Sequence, residues 1–122
     1  HLDDPIISEY TLSVAEAAEC LGKRDTLFID VREDSERERD GVIQGSIHAP
    51  YPDLGSSVKP GGLMNAMVNE TGKSLLLYCA YGERSALALK FLSECGIENA
   101  CHLGGGIDAW INAGLPLEKP SL

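Results

Sequence analysis

The sequence predicts an α/β fold, a parallel sheet with helices on both faces. Three observations carry that prediction. Short β-rich runs alternate with helix-patterned stretches along the chain. Residues 75–78 are apolar throughout, as a central parallel strand buried on both faces requires. The helical stretches close on glycines, at Gly22, Gly96 and Gly114.

Each element has its own signal. Ser13 with Glu16 three residues on is a capping box, so a helix should start there and stop near Gly22, with Cys20 on its apolar face. Residues 26–31 read as a buried strand. Residues 32–40 carry charges of both signs and read as a solvated loop or short helix. Turn residues predict a loop with at most a short strand over 41–50, and an irregular connection over 51–62. A short helix is expected at 63–68. A longer one follows at 84–95, with Ala88, Leu89 and Leu92 facing inward. Residues 99–103 read as a strand, 104–106 as a glycine turn, and 107–112 as a helix with Ile107 and Trp110 in the core. A chain of 122 residues suits one domain, 1–122, with its core at roughly 10–117 and a loose tail at 118–122.

Composition excludes several classes of function. The net charge is −9, which argues against nucleic acid binding, since that needs clustered Lys and Arg. No apolar run is long enough to span a bilayer, so no membrane partner is expected. The opening HLDDPIISEY carries three acids and lacks the basic, apolar start of a secretory signal. The start at His1 rather than Met leaves room for a processed chain or a piece of a longer one. Four cysteines, at 20, 79, 95 and 101, are irregularly spaced in a chain rich enough in apolar residues to fold without disulfides. Cys95, Cys101 and His102 lack a fourth ligand and a CxxC pair, so no metal is expected. Reduced thiols and a cytoplasmic setting follow. Cys101 is expected to be buried, and Cys95 to be the second exposed thiol.

The stretch CAYGERS, residues 79–85, carries the chemistry. In open α/β sheets ligands bind beyond the carboxyl ends of the strands, where Cys79 falls. The following helix turns free amides and its positive dipole end toward that point, which favours a thiolate there. Gly82 allows a tight turn with Ala80 and Tyr81, so that the loop amides face inward as an anion nest. Arg84 adds a positive charge and a fork that matches oxyanions. Ser85 is placed to cap the helix or to donate to a bound group. Glu83 would oppose an anionic substrate if it faced inward, and is expected to face solvent. The candidate catalytic residue is therefore Cys79, with Ala80, Tyr81, Gly82, Glu83, Arg84 and Ser85 as the binding loop. Asp30 and Arg32 fall near the same sheet edge and read chiefly as a structural ion pair. His48 and His102 show no acid or metal partner and read as structural.

CAYGERS resembles the active-site loop of rhodanese-type sulfurtransferases, which reads CxxGxR followed by Ser. FIDVRE, then Glu36 and GVIQGSIHAP, resembles the first signature of that family, and LGGGIDAWINAGLPL its second. Val42 replaces the family's usual His, and His48 stands where Asn is common. The resemblance implies a five-stranded parallel sheet and sulfur transfer through a Cys79 persulfide. It implies a donor such as thiosulfate or a persulfide, and an acceptor such as cyanide, a thiol or a protein cysteine, with no cofactor. The alternatives are a non-enzymatic binding or regulatory module and a dedicated protein sulfur carrier. A cysteine phosphatase needs CX5R, whereas only four residues separate Cys79 from Arg84.

Overall fold

A computed structural model describes residues 10–120 of the chain. Five strands form one sheet: β1 (Thr11–Leu12), β2 (Thr26–Asp30), β4 (Ile47–His48), β5 (Ser74–Tyr78) and β6 (Ala100–Leu103). Their order is β1-β6-β5-β2-β4, and all four pairings are parallel. The fold is therefore the parallel α/β architecture that the sequence predicts, with the five strands that the resemblance implies. A separate antiparallel pair joins β3 (Val42–Ile43) to β7 (Leu117–Glu118). Glu118, the first residue of the expected tail, is thus paired with Val42, while residues 121 and 122 lie outside the described residues.

Strand β5 shows why the sheet sits between two cores. Side chains alternate along a strand. Leu75, Leu77 and Cys79 enter one apolar cluster, whereas Leu76 and Tyr78 enter the other. Helices α3 (Leu54–Ser57), α4 (Leu63–Thr71) and α5 (Glu83–Glu94) close the first cluster with Leu54, Met64, Met67, Ala88, Leu89 and Leu92. Helices α1 (Val14–Cys20) and α6 (Gly106–Asn112) close the second with Ala17, Ile107 and Trp110. There the Trp110 ring meets Phe28 edge-on at 6.0 Å, and its indole N–H donates to the Pro116 carbonyl at 2.9 Å.

The capping box of α1 forms as read: Glu16 N donates to Ser13 Oγ and Ser13 N to Glu16 Oε1. Residues 34–40 are helix α2 (Asp34–Asp40), which resolves the choice between loop and short helix. Three expectations need correction. Residues 41–50 hold two short strands, β3 and β4, rather than a loop with one at most. Residues 51–62 are not irregular throughout, since a 3₁₀ turn (Tyr51–Asp53) runs into α3. Helix α4 reaches Thr71 rather than 68, because Thr71 Oγ1 bonds the Met67 carbonyl and Gly72 closes the helix in the left-handed region. Among the described residues no helix is long and apolar enough to cross a membrane.

Candidate active site

Cys79 follows β5 directly and starts the loop that leads into α5. Its side chain is 1% exposed, and its sulfur is turned inside the loop. Gly82 N donates to Cys79 Sγ at 3.1 Å and Ser85 N at 3.4 Å. Gly82 makes this turn possible: it sits at φ 111°, which a residue with a Cβ strongly resists. The Gly82 carbonyl then accepts from Ala86 N and starts α5. The amides of Gly82 and Ser85 therefore face the sulfur, where they stabilise negative charge.

The loop is held from its far side by α6. Ile107 N donates to the Cys79 carbonyl at 2.9 Å, and Asp108 N to the Ala80 carbonyl at 3.1 Å. Gly106 makes that approach possible: a Cβ there would lie 2.6 Å from Tyr81 N. The sequence marks 104–106 only as a turn, yet Gly106 admits the close approach on which the loop's support depends.

Ala80 is buried, Tyr81 is exposed, and Glu83 is exposed on the first turn of α5. The Arg84 fork is already occupied. Both of its terminal nitrogens bond Glu36 of α2, each at 2.6 Å. This contact holds the Glu36 carboxyl well below the usual carboxylate range, at about 2. Arg84 thus anchors the loop to α2 as well as contributing positive charge beside Cys79.

Asp30 and Arg32 lie at the same sheet edge, because Asp30 is in register with Tyr78, the residue before Cys79. Both are fully buried. Arg32 bonds both Asp30 oxygens, the Gly41 carbonyl at 2.7 Å, and the Glu36 carbonyl and Asp40 on α2. Arg37 reaches Asp30 from α2 as well. The cluster therefore fixes α2, and α2 presents Glu36 to Arg84. Arg32 also lies over the Tyr78 ring at 5.6 Å.

The other thiols lie apart from this loop. Cys95 is exposed at the far end of α5, about 18 Å along the helix from its start. Cys101 is partly buried, and burial pushes its thiol up to about 11. Cys20 sits on the last turn of α1 with its sulfur against the Glu16 carbonyl. His48 bonds the Arg32 carbonyl through Nε2, and its Nδ1 lies 3.4 Å from Asp34, an acid partner the sequence does not show. His102, for which the sequence shows no partner, bonds the Ser85 hydroxyl through Nδ1 and Thr11 through Nε2. No cluster of three or more His, Cys, Asp or Glu side chains suited to a metal occurs among the described residues.

The geometry is that of one buried sulfur inside a nest of amides at the carboxyl end of a parallel sheet. Known proteins are similar to this chain in sequence and in fold. The family model of the rhodanese-like domain matches residues 13–113. A sulfurtransferase of Allochromatium vinosum is 33% identical over 98 residues, covering 79% of this chain and 81% of its own. An uncharacterized protein of Synechocystis sp. is 34% identical over 90 residues, covering 68% of this chain but only 50% of its own length. A solved structure from Rhodopseudomonas palustris, described as a protein of unknown function and possible tyrosine phosphatase, superposes with a TM-score of 0.81. It is 33% identical and is covered over 91% of its chain, against 93% of this one.

Proposed function

The chain belongs to the rhodanese-like domain family, and on that premise we propose that it is a sulfurtransferase working through a persulfide on Cys79. The observation that carries this reading is the pair of amides, from Gly82 and Ser85, donating to a cysteine sulfur at the carboxyl end of a central strand. In the first step the Cys79 thiolate attacks the outer sulfur of a sulfane donor. A new S–S bond forms, the donor's S–S bond breaks, and the leaving group departs with the electron pair, as sulfite when the donor is thiosulfate. In the second step an acceptor nucleophile attacks the outer sulfur, and Cys79 leaves as a thiolate. The step is covalent catalysis by an activated nucleophile. The loop amides stabilise the charge on the transferred sulfur as an oxyanion hole stabilises an alkoxide.

A thiolate nucleophile needs a reduced thiol, and all four cysteines are free, which supports a reducing setting such as the cytoplasm. Thiosulfate and persulfides both fit as donors, with cyanide, a low-molecular-weight thiol or a protein cysteine as acceptor. The phosphatase suggested for the Rhodopseudomonas neighbour is less well supported in this chain. The loop has four residues rather than five between Cys79 and Arg84, and Glu36 already occupies the arginine fork that a phosphate would use.

Initial rates with thiosulfate and cyanide varied together test the reading. Parallel double-reciprocal lines are expected from two separate displacements. Intersecting lines would exclude a free persulfide enzyme. No turnover of either thiosulfate or a thiol persulfide would favour a binding module. Slow turnover with a long-lived persulfide would favour a sulfur carrier.

A further inference from the structure

A hydrogen-bonded chain runs from Cys79 to the edge of the sheet. Cys79 Sγ lies 3.5 Å from Ser85 Oγ, Ser85 Oγ 2.9 Å from His102 Nδ1, and His102 Nε2 2.9 Å from Thr11 Oγ1. Ser85 is fully buried and His102 is 4% exposed, so water does not replace these contacts. One arrangement of the protons satisfies every one of these contacts. The Ser85 hydroxyl lies 3.2 Å from the Gly82 carbonyl, within donating distance. Its oxygen then accepts from the Cys79 thiol on one side and needs a donor on the other. With the Ser85 hydroxyl donating to Gly82, the Nδ1–H form of His102 supplies that donor and Nε2 accepts from the Thr11 hydroxyl.

We propose that His102 is a positioning residue for the reactive sulfur: held by Thr11, it donates to Ser85 and so frees the Ser85 hydroxyl to donate to the Cys79 thiolate. In the thiol state the S–H donates to Ser85 Oγ. Once that proton has gone to water, the Ser85 hydroxyl rotates from the Gly82 carbonyl to the sulfur. It becomes a third donor beside the amides of Gly82 and Ser85. The Gly82 carbonyl keeps its bond from Ala86 N at 3.1 Å, so the rotation strands no buried acceptor. Every donor then points toward the sulfur, from Thr11 to His102, His102 to Ser85 and Ser85 to Cys79. Such aligned chains strengthen one another.

His102 does not act as the base. Burial pushes its imidazole down to about 4, so the ring stays neutral and passes on orientation rather than a proton. Other ionisable groups surround the chain. Arg84 is paired with Glu36, and Glu83 and Asp108 are exposed on the first turns of α5 and α6. Asp30 is held by Arg32 and Arg37. Burial raises both the Cys101 thiol and the Tyr78 phenol, which therefore stay neutral.

The inference rests on Cys79 being the nucleophile, and its test does not require sulfur transfer. The rate at which iodoacetamide alkylates Cys79, followed by peptide mass spectrometry across pH, reports thiolate formation. Ser85→Ala removes the third donor and is expected to raise the midpoint by about one pH unit, about tenfold slower alkylation at neutral pH. His102→Asn keeps an amide where Nδ1 faced Ser85, whereas His102→Gln keeps one where Nε2 faced Thr11. The Gln variant is expected to shift as Ser85→Ala does, and the Asn variant to stay close to wild type. Thr11→Val, at the sheet edge, is expected to give a smaller upward shift and carries the test if a His102 variant fails to fold. A wild-type titration for Ser85→Ala, or equal shifts for Asn and Gln, would overturn the proposal. These shifts without any sulfur loading would instead overturn the sulfurtransferase reading alone.

Discussion

Replacing Glu36 with Gln should cost both stability and loop order, and the structure sets the size of the loss. Glu36 holds Arg84 through two bonds of 2.6 Å, and its carboxyl falls from 4.5 to about 2. A drop of that size corresponds to about 3 kcal/mol favouring the folded state, most of it from Arg84 and a smaller share from the Glu33 N–H that donates to the same carboxylate. The Arg84 side chain is 33% exposed and that of Glu36 18%, so solvent screening reduces the expected loss to about 2 kcal/mol. The pH dependence carries a definite sign. The folded-state value is depressed, so the contribution is fully present above about 4.5 and is lost as pH falls toward about 2. Urea unfolding of wild type and Glu36→Gln at pH 7 should therefore differ by about 2 kcal/mol, and the gap should narrow by more than half at pH 3. A gap that is the same at both pH values, or absent at pH 7, would refute the assignment of this pair as the loop's anchor. The same variant should slow sulfur transfer, because the loop loses its tie to α2.

Three further outcomes follow from the same geometry. Gly106→Ala puts a Cβ 2.6 Å from Tyr81 N at a φ of 62°, so thermal melts should show a loss of about 2–3 kcal/mol, with loading of Cys79 impaired. Glu83→Gln should leave the thiosulfate KM within about twofold, because its carboxylate is exposed and screened; a large fall would place that charge against the donor. Cys95→Ser should leave transfer rates unchanged in steady-state assays, since Cys95 stands at the opposite end of α5 from the loop.

What was legible in the sequence was what is local. The apolar run before Cys79, the glycine at Gly82 and the helical spacing after it lie within a few residues of one another. Together they place the sulfur at a strand end beneath a helix start. Elements that close over distance were not legible. Strands β3 and β7 are two residues each, with Val42 opposite Glu118 and Ile43 opposite Leu117, too short for any periodicity to show. Helix α4 runs past Val68 through Asn69, Glu70 and Thr71, which have no apolar face to mark it. Arg84 read as a free fork because its partner lies 48 residues earlier. His102 showed no partner because Ser85 and Thr11 are its neighbours only once β1, β6 and α5 are assembled. Glycines 104–106 read as a turn, and only the fold shows Gly106 against the backbone of Tyr81.

The most direct measurement is the intact mass of wild type and Cys79→Ser after brief incubation with thiosulfate or a thiol persulfide, without added reductant. A sulfurtransferase working through Cys79 predicts that wild type gains the mass of one sulfur and loses it to cyanide, while Cys79→Ser does neither. No gain with either donor, or equal loading of Cys79→Ser, would contradict it.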